Sequence, residues 1–362
     1  MCTPKRDTMR PPNNRIGLRS PIALVVLLGT CLAAQNSSAP VSQPANSTTA
    51  TPQNSAAQSR TSTNPGAEGK APDTKEGDLF VFKKEVDEVT LHATVVDDHN
   101  RLVTNLARND FTVLEDGKPQ KITSFRREDI PVAMGIVIDN SGSMREKRPA
   151  VNAAAINLVQ SSNPQDKVFV VNFNEEFFLD QDYTASIPKL KDALERIEAR
   201  GGTALYDATV ASADHLKKSG DLEKKVLLVV TDGEDNASRE SLEQAVRRLQ
   251  FENGPTVYTI GLLQEEHSKR ARRALREMAE ETGGVAFFPK DLGEVNAITS
   301  QIAHDIRNQY TIQYKPDTPQ SAGGYRTVKV DAQAKGYKKL QVRTRSGYYA
   351  GERRASASGP NG

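Results

Sequence analysis

One stretch, Met134–Met144 (MGIVIDNSGSM), limits the possible folds of this chain more than any other. Its unbroken apolar run ends at a carboxylate, Asp139, and two hydroxyls follow at alternate positions, Ser141 and Ser143. A continuous apolar run of strand length, bounded by turn residues, suits a central strand that is covered on both faces of a sheet. In open α/β sheets, ligands bind at the carboxyl ends of such strands. A carboxylate and two hydroxyls there are hard oxygen donors, which suit Mg²⁺, Ca²⁺ or Mn²⁺.

Two later stretches carry oxygen-bearing side chains in similar positions. The apolar run Val226–Val230 ends at Thr231-Asp232-Gly233, and the turn Gly201-Gly202-Thr203 delivers a hydroxyl just before a helical pattern. Taken together, the three loops resemble the metal-ion-dependent adhesion site of von Willebrand factor A domains. In that family the serines and the threonine are direct or near-direct metal ligands, and the aspartates ligate directly or through water. The resemblance therefore implies a divalent cation, with Mg²⁺ favoured over Mn²⁺ or Ca²⁺, held by Asp139, Ser141, Ser143, Thr203 and Asp232.

The region around these loops alternates strand and helix patterns. Apolar residues at helical spacing recur, for example at Val151, Ala154, Ala155 and Leu158. Further strands fit Val168–Phe173, Val226–Val230, Thr256–Ile260 and Val285–Phe288. Alternating strands and helices favour a mostly parallel sheet with helices on both faces. The predicted fold class is therefore α/β, a Rossmann-like doubly wound sheet, which is also the architecture that the family resemblance implies.

Short alternating apolar runs lie on both sides of this region, and Asp116-Gly117 between two of them is a hairpin signal. The preceding runs are Val89–Val96, Phe111–Leu114 and Ile122–Phe125, and those after the helical pattern Leu292–Asn308 are Tyr310–Tyr314, Tyr325–Val330 and Leu340–Thr344. Each set has too few strands to be stable alone. We expect them to pair into one small β-sandwich, in which the α/β domain is inserted. The same order of segments resembles that of secreted bacterial VWFA-related proteins.

The N-terminus predicts export. A basic start, the apolar run Ile22–Leu28 and the small residues Cys31–Ala34 are typical of a signal peptide, and the apolar run is too short for a transmembrane helix. Lipidation of Cys31 is an alternative to simple cleavage. Residues 35–76 are rich in Ser, Thr, Pro and Asn and cannot bury enough apolar surface to fold, so they predict a disordered linker.

The predicted parts are a signal peptide at 1–34, a linker at 35–76, an N-terminal β segment at 77–129, the A domain at 130–309, a C-terminal β segment at 310–350 that pairs with the first, and a tail at 351–362.

Composition gives no support for a partner that is recognised by charge. The formal net charge is +2, and the N-terminal 34 residues hold five basic residues against one acid, so the rest is nearly neutral. Charge therefore gives no argument for binding of nucleic acid or of an anionic membrane. Both cysteines, Cys2 and Cys31, lie in the export region, so the folded part has no disulfide framework.

Three functions remain open, and the first is favoured. It is a non-enzymatic binding or adhesion module, exported to the periplasm, the cell surface or the medium, whose cation captures an acidic side chain of a protein or matrix ligand. The second is a Mg²⁺-dependent hydrolase of phosphatase type, although Ser141 has no evident base partner in the sequence. The third is a scaffold in which the cation only braces the loops.

Overall fold

The computed structural model describes residues 88–351, apart from 197–198, 219–221 and 264–267. The predicted signal peptide, the linker and the tail beyond Gly351 lie outside the described residues. Within the described part of the chain, no helix is both long enough and apolar enough to cross a membrane.

The described strands and helices follow the predicted alternation. The strands are β1 Val89–Asp97, β2 Phe111–Glu115, β3 Lys118–Gln120, β4 Ile122–Arg126, β5 Val132–Asp139, β6 Lys167–Phe173, β7 Phe177–Thr184, β8 Lys224–Thr231, β9 Thr256–Gly261, β10 Ala286–Phe287, β11 Tyr310–Tyr314, β12 Gly324–Ala332, β13 Leu340–Arg343 and β14 Gly347–Ala350. The α-helices are α1 Arg148–Ser161, α2 Ile187–Glu195, α3 Leu205–Lys217, α4 Leu242–Leu249, α5 Ser268–Glu280 and α6 Glu294–Arg307.

The central sheet has the order β10-β9-β8-β5-β6-β7, and its strand pairs are parallel except for β6 with β7. All eight residues of β5 are buried, which explains its unbroken apolar run. Gly135 in this strand is required by packing, because a Cβ atom there would lie 2.4 Å from Cζ of Phe169.

Helices cover both faces of the central sheet, so the predicted α/β doubly wound fold is confirmed. One apolar core joins the sheet to α1, α2 and α6, and the other joins it to α3, α4 and α5. The predicted apolar stripe of α1, namely Val151, Ala154, Ala155 and Leu158, is fully buried in the first core.

The flanking strands form two antiparallel sheets of four strands each, with the orders β13-β1-β11-β4 and β14-β12-β2-β3. Each sheet combines strands from before and after the α/β region, through the pairs β1 with β11 and β2 with β12. A shared core that includes Leu91, Val113, Ile312 and Val330 fills the space between the two sheets. The two antiparallel sheets therefore form the expected small β-sandwich. The proposed domain boundaries stay a prediction.

The sandwich contains two more strands than the sequence predicts, β3 and β14. The β2–β3 hairpin turns at Asp116 and Gly117, whose φ angles of 48° and 75° confirm the predicted turn. The edge strand β7 is also absent from the prediction. Its first three residues, Phe177, Phe178 and Leu179, are each about half exposed, so no alternation of buried and exposed residues marks this strand.

A buried carboxylate, Glu115, ties the two halves of the sandwich together. Its Oε2 atom accepts hydrogen bonds from Tyr314 Oη at 2.5 Å and Tyr348 Oη at 2.9 Å. Its Oε1 atom lies 3.2 Å from Nη1 of Arg326, and both charged side chains are only 3% exposed. Arg326 also donates to the carbonyl oxygens of Thr318 and Pro319. These three partners of Glu115 all come from the C-terminal strand set, so this residue links strands that lie far apart in the chain.

Substituting Glu115 by Ala should destabilise the fold strongly, because it leaves the Arg326 guanidinium buried without its counter-ion. We expect a loss of about 3 kcal/mol in the free energy of unfolding. Urea unfolding measures this loss, and Glu128→Ala, which removes an exposed carboxylate, should change it by less than about 0.5 kcal/mol. Equal effects of the two substitutions would contradict the proposed role of Glu115.

A second buried carboxylate, Asp166, lies between α1 and β6 at the opposite end of the sheet from the predicted metal loops. It is 3% exposed and accepts hydrogen bonds from the backbone N–H of Val132 at 2.8 Å and of Asn163 at 3.2 Å. Burial raises the pKa of Asp166 to about 6, although these hydrogen bonds favour the ionised form.

Because the pKa of Asp166 is raised by folding, its ionisation makes the folded state less stable. This cost is absent below about pH 4, grows as the pH rises, and is complete above about pH 6, where it is on the order of 3 kcal/mol. Thermal unfolding of wild type and Asp166→Asn from pH 4 to 7 should show a fall in the wild type that the variant lacks. Parallel profiles would show that Asp166 does not titrate in this range.

Candidate metal centre

Asp139 is the last residue of β5, and it is completely buried. Its Oδ1 atom accepts a hydrogen bond from the backbone N–H of Ser141 at 2.8 Å, which fixes the turn after the strand. Its Oδ2 atom accepts from the Thr231 hydroxyl at 2.6 Å. Thr231 ends β8, the parallel neighbour of β5. The carboxylate is therefore held from two adjacent strand ends.

The buried surroundings of Asp139 make ionisation of its carboxyl unfavourable. Burial raises the pKa of this carboxyl, and the nearby charge of Asp232 raises it further, whereas the hydrogen bonds from Thr231 and Ser141 lower it. A positive charge brought close to both carboxylates would favour their ionised forms.

The first loop reaches the third loop through a chain of oxygen atoms. A single turn of 3₁₀ helix at Gly142–Met144 places the Ser143 hydroxyl 3.2 Å from that of Ser141. Ser143 Oγ in turn donates to Oδ1 of Asp232 at 2.8 Å, although these two residues lie 89 positions apart in the sequence. The other carboxylate oxygen of Asp232 accepts from Nζ of Lys147. The fold thus brings Ser141, Ser143 and Asp232 together.

The second loop carries Thr203 against the third loop. The backbone N–H of Thr203 donates to Oδ1 of Asn236 at 2.9 Å, and the carbonyl of Thr203 accepts from the backbone N–H of Asn236 at 3.0 Å. Oγ1 of Thr203 lies 3.6 Å from where a Cβ atom on Gly233 would be, so this hydroxyl is close to the residue that follows Asp232. Gly201 adopts a φ of 78°, and the Glu175 carboxylate fills the space of a side chain there.

The donor set fits a divalent cation. Two carboxylates and three hydroxyls converge on one edge of the sheet, and such oxygens are the ligands that Mg²⁺ and Ca²⁺ prefer. The five residues that would hold the ion are Asp139, Ser141, Ser143, Thr203 and Asp232. Their ligation of a metal stays a prediction.

A second group of potential ligands, Asp97-Asp98-His99, lies at the turn after β1. Asp97 is already engaged by Arg101, which donates from its backbone N–H at 2.9 Å and from Nε at 2.8 Å. These hydrogen bonds lower the pKa of Asp97 to about 2. The arrangement is that of a closed turn held by an ion pair, and it lies outside the three predicted loops.

The sequence alone assigns no role in the site to three residues that shape it, namely Lys147, Thr231 and Asn236. Each acts through a contact with another loop. The position of Thr231 directly before Asp232 was a signal, since the end of a parallel strand next to β5 brings its side chain close to Asp139.

The fold and the loops together define a class, an α/β domain with oxygen ligands at the carboxyl ends of its central strands. Residues 134–301 match the sequence model of the von Willebrand factor type A domain. Domains of this family commonly bind a divalent cation. No curated protein matches this chain significantly.

Several solved structures match part of this chain. The PilB minor pilin from Streptococcus sanguinis has 15% identity and a TM-score of 0.42, with 51% of this chain and 63% of the pilin covered, so the match spans less than two thirds of the pilin. The vWF domain of the type V pili tip protein Mfa5 from Porphyromonas gingivalis has 13% identity and a TM-score of 0.41, with 49% and 95% covered. A von Willebrand factor type A protein from Catenulispora acidiphila has 15% identity and a TM-score of 0.43, with 74% and 75% covered. The similarity to the von Willebrand factor type A family rests on the sequence match over residues 134–301.

The hydroxyl of Thr231 should be important for holding Asp139. Thr231→Val removes a hydrogen bond to a buried carboxylate, and we expect it to lower the free energy of unfolding by about 2 kcal/mol. Thr231→Ser, which keeps the hydroxyl, should lose clearly less. Urea unfolding in the presence of chelator measures both. If the Ser and Val variants were equally stable, the hydrogen bond from Thr231 would not be what holds Asp139.

Proposed function

We propose that the chain is an exported, non-enzymatic binding module of adhesion type, which captures a protein or matrix ligand through a divalent cation. The observation that carries this proposal is the continuous set of oxygen atoms from Asp139 to Asp232 at one edge of a von Willebrand factor type A domain. The export part of the proposal rests on the N-terminal sequence, which lies outside the described residues.

The chemistry of the site follows from its charges. The carboxylates of Asp139 and Asp232 supply most of the attraction for a cation, and the hydroxyls of Ser141, Ser143 and Thr203 supply neutral oxygens. A bound divalent cation would supply positive charge that attracts an acidic side chain of a partner. In this arrangement the protein residues position the ion, and partner binding depends on the ion being present.

The contacts of Ser141 favour binding over hydrolysis. A serine nucleophile needs a base within hydrogen-bond reach. In the described part of the chain, the hydroxyl of Ser141 lies beside that of Ser143 and also contacts the carboxylate of Asp139. That carboxylate is already bound by the Thr231 hydroxyl and the Ser141 backbone N–H, and the nearby Lys147 is engaged by Asp232. We therefore propose that these serines are ligands rather than nucleophiles.

Cation binding is tested by thermal unfolding. A ligand that binds only the folded state stabilises it, and Mg²⁺ at about 100 times its Kd should raise the Tm by roughly 5 °C. Asp139→Asn removes one of the two carboxylates and should abolish this rise. Asp98→Asn, which removes a carboxylate from the separate turn after β1, should keep it. A wild-type Tm that ignores Mg²⁺, Mn²⁺ and chelator alike would argue against the site.

A substitution of Thr203 distinguishes a cation that captures a partner from a cation that only braces the loops. It contributes a neutral oxygen, so Thr203→Ala should leave most of the Mg²⁺-dependent rise in Tm. If the cation captures a partner, this variant should lose most of its Mg²⁺-dependent retention of matrix or cell-surface proteins. Equal fractional losses of Tm rise and retention would favour the structural brace.

A further inference from the structure

Lys147 places a positive charge on the candidate metal centre. Its Nζ atom contacts Oδ2 of Asp232, while Oδ1 of the same carboxylate accepts from Ser143. The Asp232 side chain is 1% exposed and that of Lys147 is 19% exposed. Both oxygens of this predicted metal ligand are therefore engaged by groups from the first loop, and the pair is largely shielded from water.

The backbone holds Lys147 in this place. It is the residue just before α1, where its N–H donates to the carbonyl of Met144 at 2.9 Å and its carbonyl accepts from the N–H of Val151 at 3.1 Å. Met144 is completely buried and anchors the loop. The lysine side chain therefore starts from a fixed point beside the third loop.

The neighbouring basic residues do not share this role. Arg145 donates to the carbonyl of Ala199 at 3.2 Å, and Arg148 donates to Asn172 and to the carbonyl of Leu194. Among the described residues, Lys147 is the cation that forms an ion pair with Asp232. The positive charge at this predicted metal ligand therefore comes from one side chain rather than from a general basic surface.

A divalent cation and the ammonium group of Lys147 would both bind the carboxylate of Asp232. Two positive groups a few Å apart repel each other, and the repulsion is strong where water is largely excluded. Breaking the contact of the lysine with Asp232 also gives up a charge-assisted hydrogen bond, which is stronger than a neutral one.

We propose that Lys147 is a built-in counter-ion that competes with the divalent cation for Asp232 and so sets the cation concentration at which the site fills. This inference rests on the proposed function, because it concerns the same metal site. In the absence of a divalent cation, the lysine stabilises the third loop against the first. When a divalent cation binds, the lysine side chain leaves Asp232 and turns toward solvent.

Competition of this kind predicts opposite effects of removing the lysine charge. Lys147→Met should bind Mg²⁺ about tenfold more tightly than wild type, which corresponds to about 1.4 kcal/mol. The same variant should have a lower Tm than wild type in chelator, because Asp232 is then buried without its counter-ion. A general loss of stability would produce the second effect without the first.

The experiment is calorimetric titration of chelator-treated protein with Mg²⁺ and with Mn²⁺, together with thermal unfolding in chelator. Lys147→Arg keeps the charge and should bind the ions within about threefold of wild type. Arg200→Met is the matched control, because it removes one positive charge from an exposed side chain beside the second loop. It should change the Kd for Mg²⁺ by less than about threefold, since an exposed charge is screened.

The outcomes separate this inference from the proposed function. If wild type binds Mg²⁺ and Lys147→Met binds it with the same or lower affinity, the competition is overturned while the metal site stands. If Arg200→Met tightens binding as much as Lys147→Met, the effect is one of general charge, and the specific role of Lys147 is overturned. If neither wild type nor Lys147→Met shows saturable binding of either ion, both the metal site and the competition are wrong.

Discussion

The parallel pairing of β5 with β8 determines which side chains of the loops meet at the edge of the sheet. Its register places Ile138 opposite Val230, so the next residue of each strand, Asp139 and Thr231, meets the other across the sheet. Both strands are buried on both faces, and a shift of register would break a ladder of backbone hydrogen bonds inside the core. The carboxylate of Asp139 is consequently shielded from bulk water, and its charge has to be compensated by groups of the protein or by a bound cation.

The layer that carries the site is connected directly to the β-sandwich. Helix α1 begins just after the first loop and packs along α6, which leads through Asn308 and Gln309 into β11. Near the end of α6, Asp305 accepts from Nη2 of Arg343 in β13 at 2.9 Å, and the Asp305 side chain is only 3% exposed. A rearrangement at the first loop that moved α6 would therefore strain the ion pair that joins α6 to β13. A continuous set of packed elements therefore connects the site to the sandwich, although separate apolar cores stabilise them.

The parts of the fold that the sequence predicts are those in which burial imposes a pattern. β5 and β8 are apolar throughout because both faces are covered, and α1 repeats its apolar residues because one face is covered. The edge strand β7 has no such constraint, since Phe177–Leu179 are exposed and no periodicity follows. In the site, the loop residues could be identified from their order along the chain. Lys147 could not, because its contact with Asp232 depends on a side-chain conformation across 85 positions of sequence.

The groups that would hold a cation also hold one another. Asp139 is bound by Thr231, Asp232 by Ser143 and Lys147, and Ser143 by Ser141. Each hydrogen bond that stabilises the loops has to change its geometry or be given up when an ion takes the same oxygen. The number of oxygen atoms at the edge of the sheet therefore does not determine the affinity for a cation. The affinity is determined by the difference between the free energy of the ion's contacts and the free energy of the contacts that the ion replaces. The contact between the ammonium of Lys147 and Asp232 is charge-assisted, so replacing it costs much of the free energy gained from the ion.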